Sequence, residues 1–146
     1  MEPGFFVRNY TETDFPEMIM LWEALGLGGA HRGDDSQVIA RTLQMGGQLL
    51  LLAEQVSGKI IGTSWLTVDG RRTYIHHFGI HSQYQGRGLA KVLLDASLKL
   101  AKTFGMQIKL EVHKDNAKAI SLYAKSGFVS LGDYQIYIIR DISAIY

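Results

Sequence analysis

Gln85-Gly86-Arg87-Gly88-Leu89-Ala90 places two glycines ahead of a helical repeat in which Leu89, Val92, Leu93, Ala96, Leu100 and Phe104 fall on one face. Upstream, Thr73 to Ile80 reads as a strand. A strand that passes through glycines into a helix leaves several backbone N–H groups unpaired and aimed one way. Together with the positive end of the helix dipole they form a seat for a phosphate. Glycine suits the turn because a side chain would keep an anion away from the backbone. Two further groups could move protons. Histidine as a residue type titrates near neutral pH, and His76 and His77, as neighbours on a regular strand, would point to opposite faces, so one at most would face a given cleft. Asp34-Asp35 could attract a cationic amine, or could be ordinary first-turn acids of a helix.

Composition narrows the chemistry. No cysteine is present, which removes disulfides, thiolate metal sites and an acyl-cysteine intermediate. Neighbouring strand histidines cannot chelate one ion, so no metal is expected. A net charge of +1 supplies no field to hold nucleic acid or an anionic membrane. The longest apolar run, Leu49 to Ala53, is far too short to span a bilayer, and the N-terminus lacks the regions of a signal peptide. A soluble, cytoplasmic protein is expected. Its 146 residues and 47% hydrophobic content suit one packed domain, residues 1–146.

The elements that must position these groups follow from pattern. Gly4 to Asn9 reads as a strand, and Thr11 to Asp14 as the capping signature of a helix that stops at Gly26. A loop to Gly33 precedes a second helix from about Asp34 to Met45. Leu49–Glu54 and Lys59–Val68 are expected as strands, with Asp69-Gly70 as a hairpin signal into the next. Beyond the glycine-loop helix come a strand at Gln107–His113, a helix at Asn116–Ser126, and two strands at about Val129–Asp133 and Gln135–Arg140. The order is β-α-α-β-β-β-α-β-α-β-β, an α/β (α+β) domain whose mixed sheet of about seven strands carries helices on both faces.

Gln85, Gly88 and Ala90 match the pattern Q/R-x-x-G-x-G/A, which resembles the pyrophosphate loop of the GNAT superfamily of acyl-CoA-dependent N-acyltransferases. A second block, Glu111 to Phe128, resembles that family's strand, Asn-x-x-Ala helix start, Leu-Tyr pair and closing Gly-Phe, in order and at the right distance. A dinucleotide fingerprint fits less well, because Lys91 stands where its third glycine belongs.

The resemblance implies acetyl-CoA as co-substrate and direct attack of a primary amine on its thioester. It implies that the strands ending near Ile80 and spanning Ile108–His113 run parallel and splay apart to admit the pantetheine arm. Phe78, Gly79 and Ile80 would then offer main-chain groups to the acyl and pantetheine portions, and Gln85, Gly86, Arg87, Gly88, Leu89 and Ala90 would hold the pyrophosphate. Tyr123 stands where the family's general-acid tyrosine stands, and a phenol keeps its proton at neutral pH. Asn116 occupies the place that touches pantetheine or phosphate, and would also serve as a plain N-cap. Glu111 lies twelve residues before Tyr123, a relation similar to that in ribosomal-protein alanine N-acetyltransferases, where the corresponding glutamate is a proposed base. Partial burial would raise its pKa toward neutrality, as a base needs. His76, His77 or water are the alternatives for the base, and His81 resembles a turn-shaping histidine.

Trp22, His31, Arg32, Asp34, Asp35, Tyr134 and Tyr137 fall where the acceptor side is shaped in that fold, and they name no substrate. A small-molecule or peptide amine is implied as acceptor, and a homodimer formed through Gln135–Arg140 is expected. The competing reading is an acyl-CoA-binding sensor or regulatory module without turnover.

Overall fold

The computed structural model describes residues 4–28 and 32–145, so His31 lies outside the described residues. The chain forms two compact units, Met1–Glu111 and Val112–Tyr146. In the first, β1 (Phe5–Asn9) leads to α1 (Phe15–Leu25), α2 (Ser36–Gln44), β2 (Gln48–Glu54), β3 (Ile60–Val68), β4 (Arg72–Ile80), α3 (Leu89–Phe104) and β5 (Gln107–Leu110). The strands lie in chain order in one sheet. Pairing is antiparallel from β1 through β4, and β5 joins β4 in parallel.

Local chemistry sets the helix ends. Thr11 and Asp14 cap each other reciprocally around a single 3-10 turn, and Arg8 grips the Asp14 carboxylate through two 2.8 Å bonds. That guanidinium is the main reason the Asp14 pKa falls to about 2. The first helix ends on Gly26 at φ 67°, a left-handed position that glycine adopts without strain. In front of α2, the Asp35 side chain accepts from the Val38 N–H at 2.9 Å.

Both faces of the sheet are covered. Met18, Leu21 and Trp22 of α1 and Ile39 of α2 pack with Leu49, Leu51, Ile60 and Trp65. Ser64, the neighbour of Trp65, projects to the other face, where its hydroxyl accepts from Ser97 of α3 at 2.7 Å. Strand β2 is buried from Leu49 to Ala53, as a central strand enclosed on both faces should be.

The second unit contains α4 (Ala117–Lys125), capped by the Asn116 side chain, which accepts from Ala119 N–H at 3.2 Å. The Phe128 N–H closes the helix end onto the Tyr123 carbonyl at 3.0 Å.

The sheet has five strands among the described residues, not about seven. Residues 129–133 and 135–140, expected as strands, form no ladder. Their apolar pattern states what the segment prefers beside a neighbouring edge, and β-propensity is realised only where such a neighbour is present. The strand expected over Gln107–His113 stops at Leu110, where its pairing with Ile75 ends. The turn after β3 closes on the pair Asp69 and Arg72, one residue later than Asp69-Gly70 suggests, with the Asp69 carboxylate accepting from both Arg71 and Arg72 N–H groups.

Candidate functional site

The glycine loop forms as its sequence implies. Gly86 and Gly88 take φ of 78° and 77°, and Gly88 is the N-cap of α3. Open space surrounds the Cβ position of each. No backbone carbonyl among the described residues receives the N–H groups of Gly86, Gly88, Leu89 or Ala90, which lie at or just before the positive end of a 16-residue helix. Gln85 acts through its side chain instead, donating its amide to the Ile80 carbonyl at 2.8 Å and tying the loop to the end of β4. The Arg87 guanidinium lies over the rings of Phe5 and Tyr84, 5.3 and 5.5 Å from their centroids, so the loop is also anchored to β1. His81 Nδ1 accepts from Gln83 N–H at 3.1 Å and caps the intervening turn.

Strands β4 and β5 part beyond the pair Ile75 and Leu110. From His76 to Ile80 no strand among the described residues lies on that side of β4, so the main chain of Phe78, Gly79 and Ile80 borders the gap.

A bulge interrupts β4 at this point. Thr63 pairs with Gly79 and Trp65 with His76, so Ser64 alone opposes both His77 and Phe78. His77 sits at φ 46°, the sole non-glycine with positive φ among the described residues. The extra residue breaks the alternation of side chains. The expectation that His76 and His77 point to opposite faces is therefore corrected: both line one pocket of about 220 Å³, together with Asp34, Thr42, Trp65 and Thr67.

The pocket wall is tightly bonded. His77 Nε2 lies 2.7 Å from Asp34 Oδ2. The His77 carbonyl accepts from Thr63 Oγ1 at 2.6 Å, and Thr63 in turn accepts from Trp22 Nε1 at 2.9 Å. The Trp65 indole donates to Thr42 at 3.0 Å, and His76 Nε2 meets Thr67 Oγ1 at 2.8 Å. Partial desolvation, then the neighbouring His77, lowers the His76 pKa. Of the adjacent acids, Asp35 serves as a helix cap while Asp34 turns to His77. Trp22 is wholly buried behind the histidine ring, and Arg32 is exposed.

The remaining candidates lie at or beyond the end of the first unit. Glu111 is exposed, one residue past β5. In the second unit Tyr123 is buried, with Phe128 edge-on at 5.6 Å between ring centroids. Burial pushes its phenol up to about 12. Tyr134 and Tyr137 are exposed, and the Tyr137 hydroxyl donates to Gln135 at 3.0 Å.

The acetyltransferase (GNAT) family model matches residues 14–128, across both units. The chain belongs to the GNAT acetyltransferase family. Its fold is similar to that of a GNAT acetyltransferase from Staphylococcus aureus, with 20% identity, a TM-score of 0.78, and 90% of this chain and 88% of that one covered. The ribosomal-protein-S18-alanine N-acetyltransferase of Escherichia coli has 20% identity and a TM-score of 0.70, over 84% of this chain and 76% of that one. A GNAT acetyltransferase from Elizabethkingia anophelis, whose structure has acetyl-CoA bound, has 21% identity and a TM-score of 0.65, over 88% and 78%.

Two features of this GNAT chain escape a sequence reading. One is the bulge at His77. The other is Gly28, where an added Cβ would stand 2.8 Å from His77 Nε2 and 2.9 Å from Cε1. A glycine in the loop between the first two helices was the available signal for such a close approach. Among the described residues no helix is long and apolar enough to cross a membrane, and no three metal-ligating side chains cluster.

Proposed function

We propose that residues 1–146 act as a single cytoplasmic N-acetyltransferase domain, moving an acetyl group from acetyl-CoA to a primary amine by direct attack in a ternary complex. The observation that carries this reading is the pairing of an open glycine loop at the α3 N-terminus with a gap beside the last residues of β4, in a chain of this family. The N–H groups of Gly86, Gly88, Leu89 and Ala90 hold the pyrophosphate, with the Arg87 main chain beside them and Gln85 setting the loop. Phe78, Gly79 and Ile80 present main-chain groups to the thioester and pantetheine, and an N–H aimed at the thioester oxygen stabilises charge that develops there. Asn116 contacts the co-substrate from the mouth of α4.

In the reaction the amine nitrogen bonds to the acetyl carbon, the carbon–sulfur bond breaks, and the thiolate leaves. Tyr123 serves the sulfur. With its pKa near 12 the phenol retains its proton throughout the physiological range. The phenol therefore stabilises the leaving sulfur first by hydrogen bonding. Glu111, exposed past β5, is the sequence's candidate for the base, with His76, His77 or water as alternatives.

The decisive test is calorimetric titration with acetyl-CoA, followed by thiol release with small-molecule and peptide amines. Binding without release from any amine would support a sensor rather than an enzyme. We also propose a homodimer. Nine large apolar side chains from Val129 to Ile145, including Ile136, Tyr137, Ile138 and Ile139, are exposed in the single chain and call for cover. Sedimentation as a clean monomer at tens of micromolar would reject the dimer.

A further inference from the structure

We propose that His77, oriented by Asp34, is the group that takes the proton from the attacking amine, an inference that rests on the acetyl-transfer reading above. An ionised carboxylate can only accept, so the 2.7 Å contact puts the hydrogen on His77 Nε2 and leaves the lone pair of the neutral ring on Nδ1. Nδ1 has no hydrogen-bond partner among the described residues and is not among the sealed-off polar atoms. The ring lines the pocket, and its position is held from several sides. The bulge turns it there, Thr63 fixes its carbonyl, and Trp22 and Trp65 flank it at 4.5 and 5.5 Å between ring centroids. Gly28 lets loop backbone close over the Nε2 edge where any side chain would collide. A positive φ on a histidine, maintained by this many contacts, is the form that strain takes where a side chain must be aimed.

The residue next in chain is Phe78, where the strand edge assigned to the thioester begins. As the carbon–nitrogen bond forms and the carbon–sulfur bond breaks, the ammonium proton passes from the nitrogen to His77 Nδ1. The imidazolium is stabilised by Asp34 and then releases its proton to water. His76 Nε2 meets the Thr67 hydroxyl, which carries no charge to stabilise an imidazolium as Asp34 does for His77, and Glu111 is exposed past β5. Among the described residues the charged or titratable groups facing His77 are Asp34, from the segment before α2, and His76 on its own strand; α1, α2 and β3 contribute Trp22, Thr42, Thr63 and Trp65. In this scheme His77 is catalytic and Asp34 is a positioning residue.

The test uses the full chain with acetyl-CoA and three probe amines: 2-phenylethylamine, spermidine, and a hexapeptide with a free N-terminal alanine. His77→Gln should leave acetyl-CoA affinity within about twofold and lower kcat by roughly 10²–10⁴-fold, with loss of the acidic limb of the pH–rate profile. Added imidazole should restore part of the rate of His77→Ala. Asp34→Asn, which offers an N–H to Nε2 and drives the hydrogen to Nδ1, should also lower kcat, and Asp34→Glu should recover part of it. Nitrogen NMR of the wild-type ring should show the Nε2–H tautomer at mildly alkaline pH and the reverse in Asp34→Asn. Wild-type kcat and pH profile in His77→Gln overturn the inference while leaving acetyl transfer intact. Failure of the wild type to bind acetyl-CoA overturns the underlying reading instead. An Nδ1–H tautomer in the wild type overturns the inference even if none of the three amines is accepted.

Discussion

Replacing Gly88 with alanine separates the backbone cost of a left-handed residue from the loss of a phosphate seat. Gly88 has φ 77° and nothing within 4 Å of its Cβ position, so alanine meets no steric clash in the protein alone. Its cost is the left-handed backbone, about 1–2 kcal/mol. In a domain of this size that lowers Tm by roughly 2–8 °C. Gly58, at φ 73° and equally open, is the matched control and should lose a similar amount. Affinity for acetyl-CoA should distinguish the two. At position 88 the methyl group stands among the N–H donors of the loop and holds the pyrophosphate away from them. One charge-assisted hydrogen bond is worth about 1.5–3 kcal/mol, so Kd should rise roughly 10- to 100-fold in Gly88→Ala and remain unchanged in Gly58→Ala. Calorimetry with acetyl-CoA makes the measurement. Acetyl-pantetheine, which has no pyrophosphate, should bind both variants like the wild type. Equal acetyl-CoA affinity in the two folded variants would refute the phosphate-loop assignment.

Three more outcomes are expected. Tyr123→Phe keeps the ring against Phe128 and should bind acetyl-CoA normally, while kcat for thiol release falls by roughly 10²–10⁴-fold; wild-type turnover would return Tyr123 to the core. Thr63→Val strands the Trp22 indole N–H and releases the His77 carbonyl, so chemical denaturation should show a loss of about 1–3 kcal/mol, and no loss would show that water replaces the hydroxyl. Asp14, depressed from 3.8 to about 2, contributes stability that is fully present above its ordinary pKa and lost as pH falls through about 2. Asp14→Asn should therefore cost about 1 kcal/mol near neutral pH, after allowance for solvent screening, and melt like the wild type once the pH is below that range; a constant difference at every pH would contradict the linkage.

The parts of the fold legible in the sequence are those that short segments determine by themselves. Thr11 and Asp14 cap each other because they are three residues apart, and Gly26 ends α1 because it alone in that stretch accepts a left-handed turn cheaply. The same holds for the glycine loop, where spacing, turn and helix face lie within one continuous stretch. The final strands fail for the converse reason. Residues 135–140 have the composition of a strand, but a strand exists through its neighbour, and sequence period carries no information about which edge is present. Asp34 and Asp35 are locally equivalent as first-turn acids. The contact that separates them comes from His77, on a strand far along the chain.

That separation explains why the glycine loop could be read from the sequence and the pocket beside His77 could not. In the proposed site pyrophosphate is held by backbone groups, and the backbone conformation of a six-residue loop is written in its glycines. The pocket beside His77 is built from side chains of α2, β3, β4 and the segment before α2, aimed by a register shift between β3 and β4. A single inserted residue reverses the face of everything on one side of it, and no residue type at 76–78 announces the insertion. His76 and His77 therefore look mutually exclusive in the sequence and share one pocket in the fold. Where an aimed side chain depends on such a shift, the informative residues are the small ones that pack against it. Here that residue is Gly28, and its value follows from the 2.8 Å that a Cβ would leave to the imidazole.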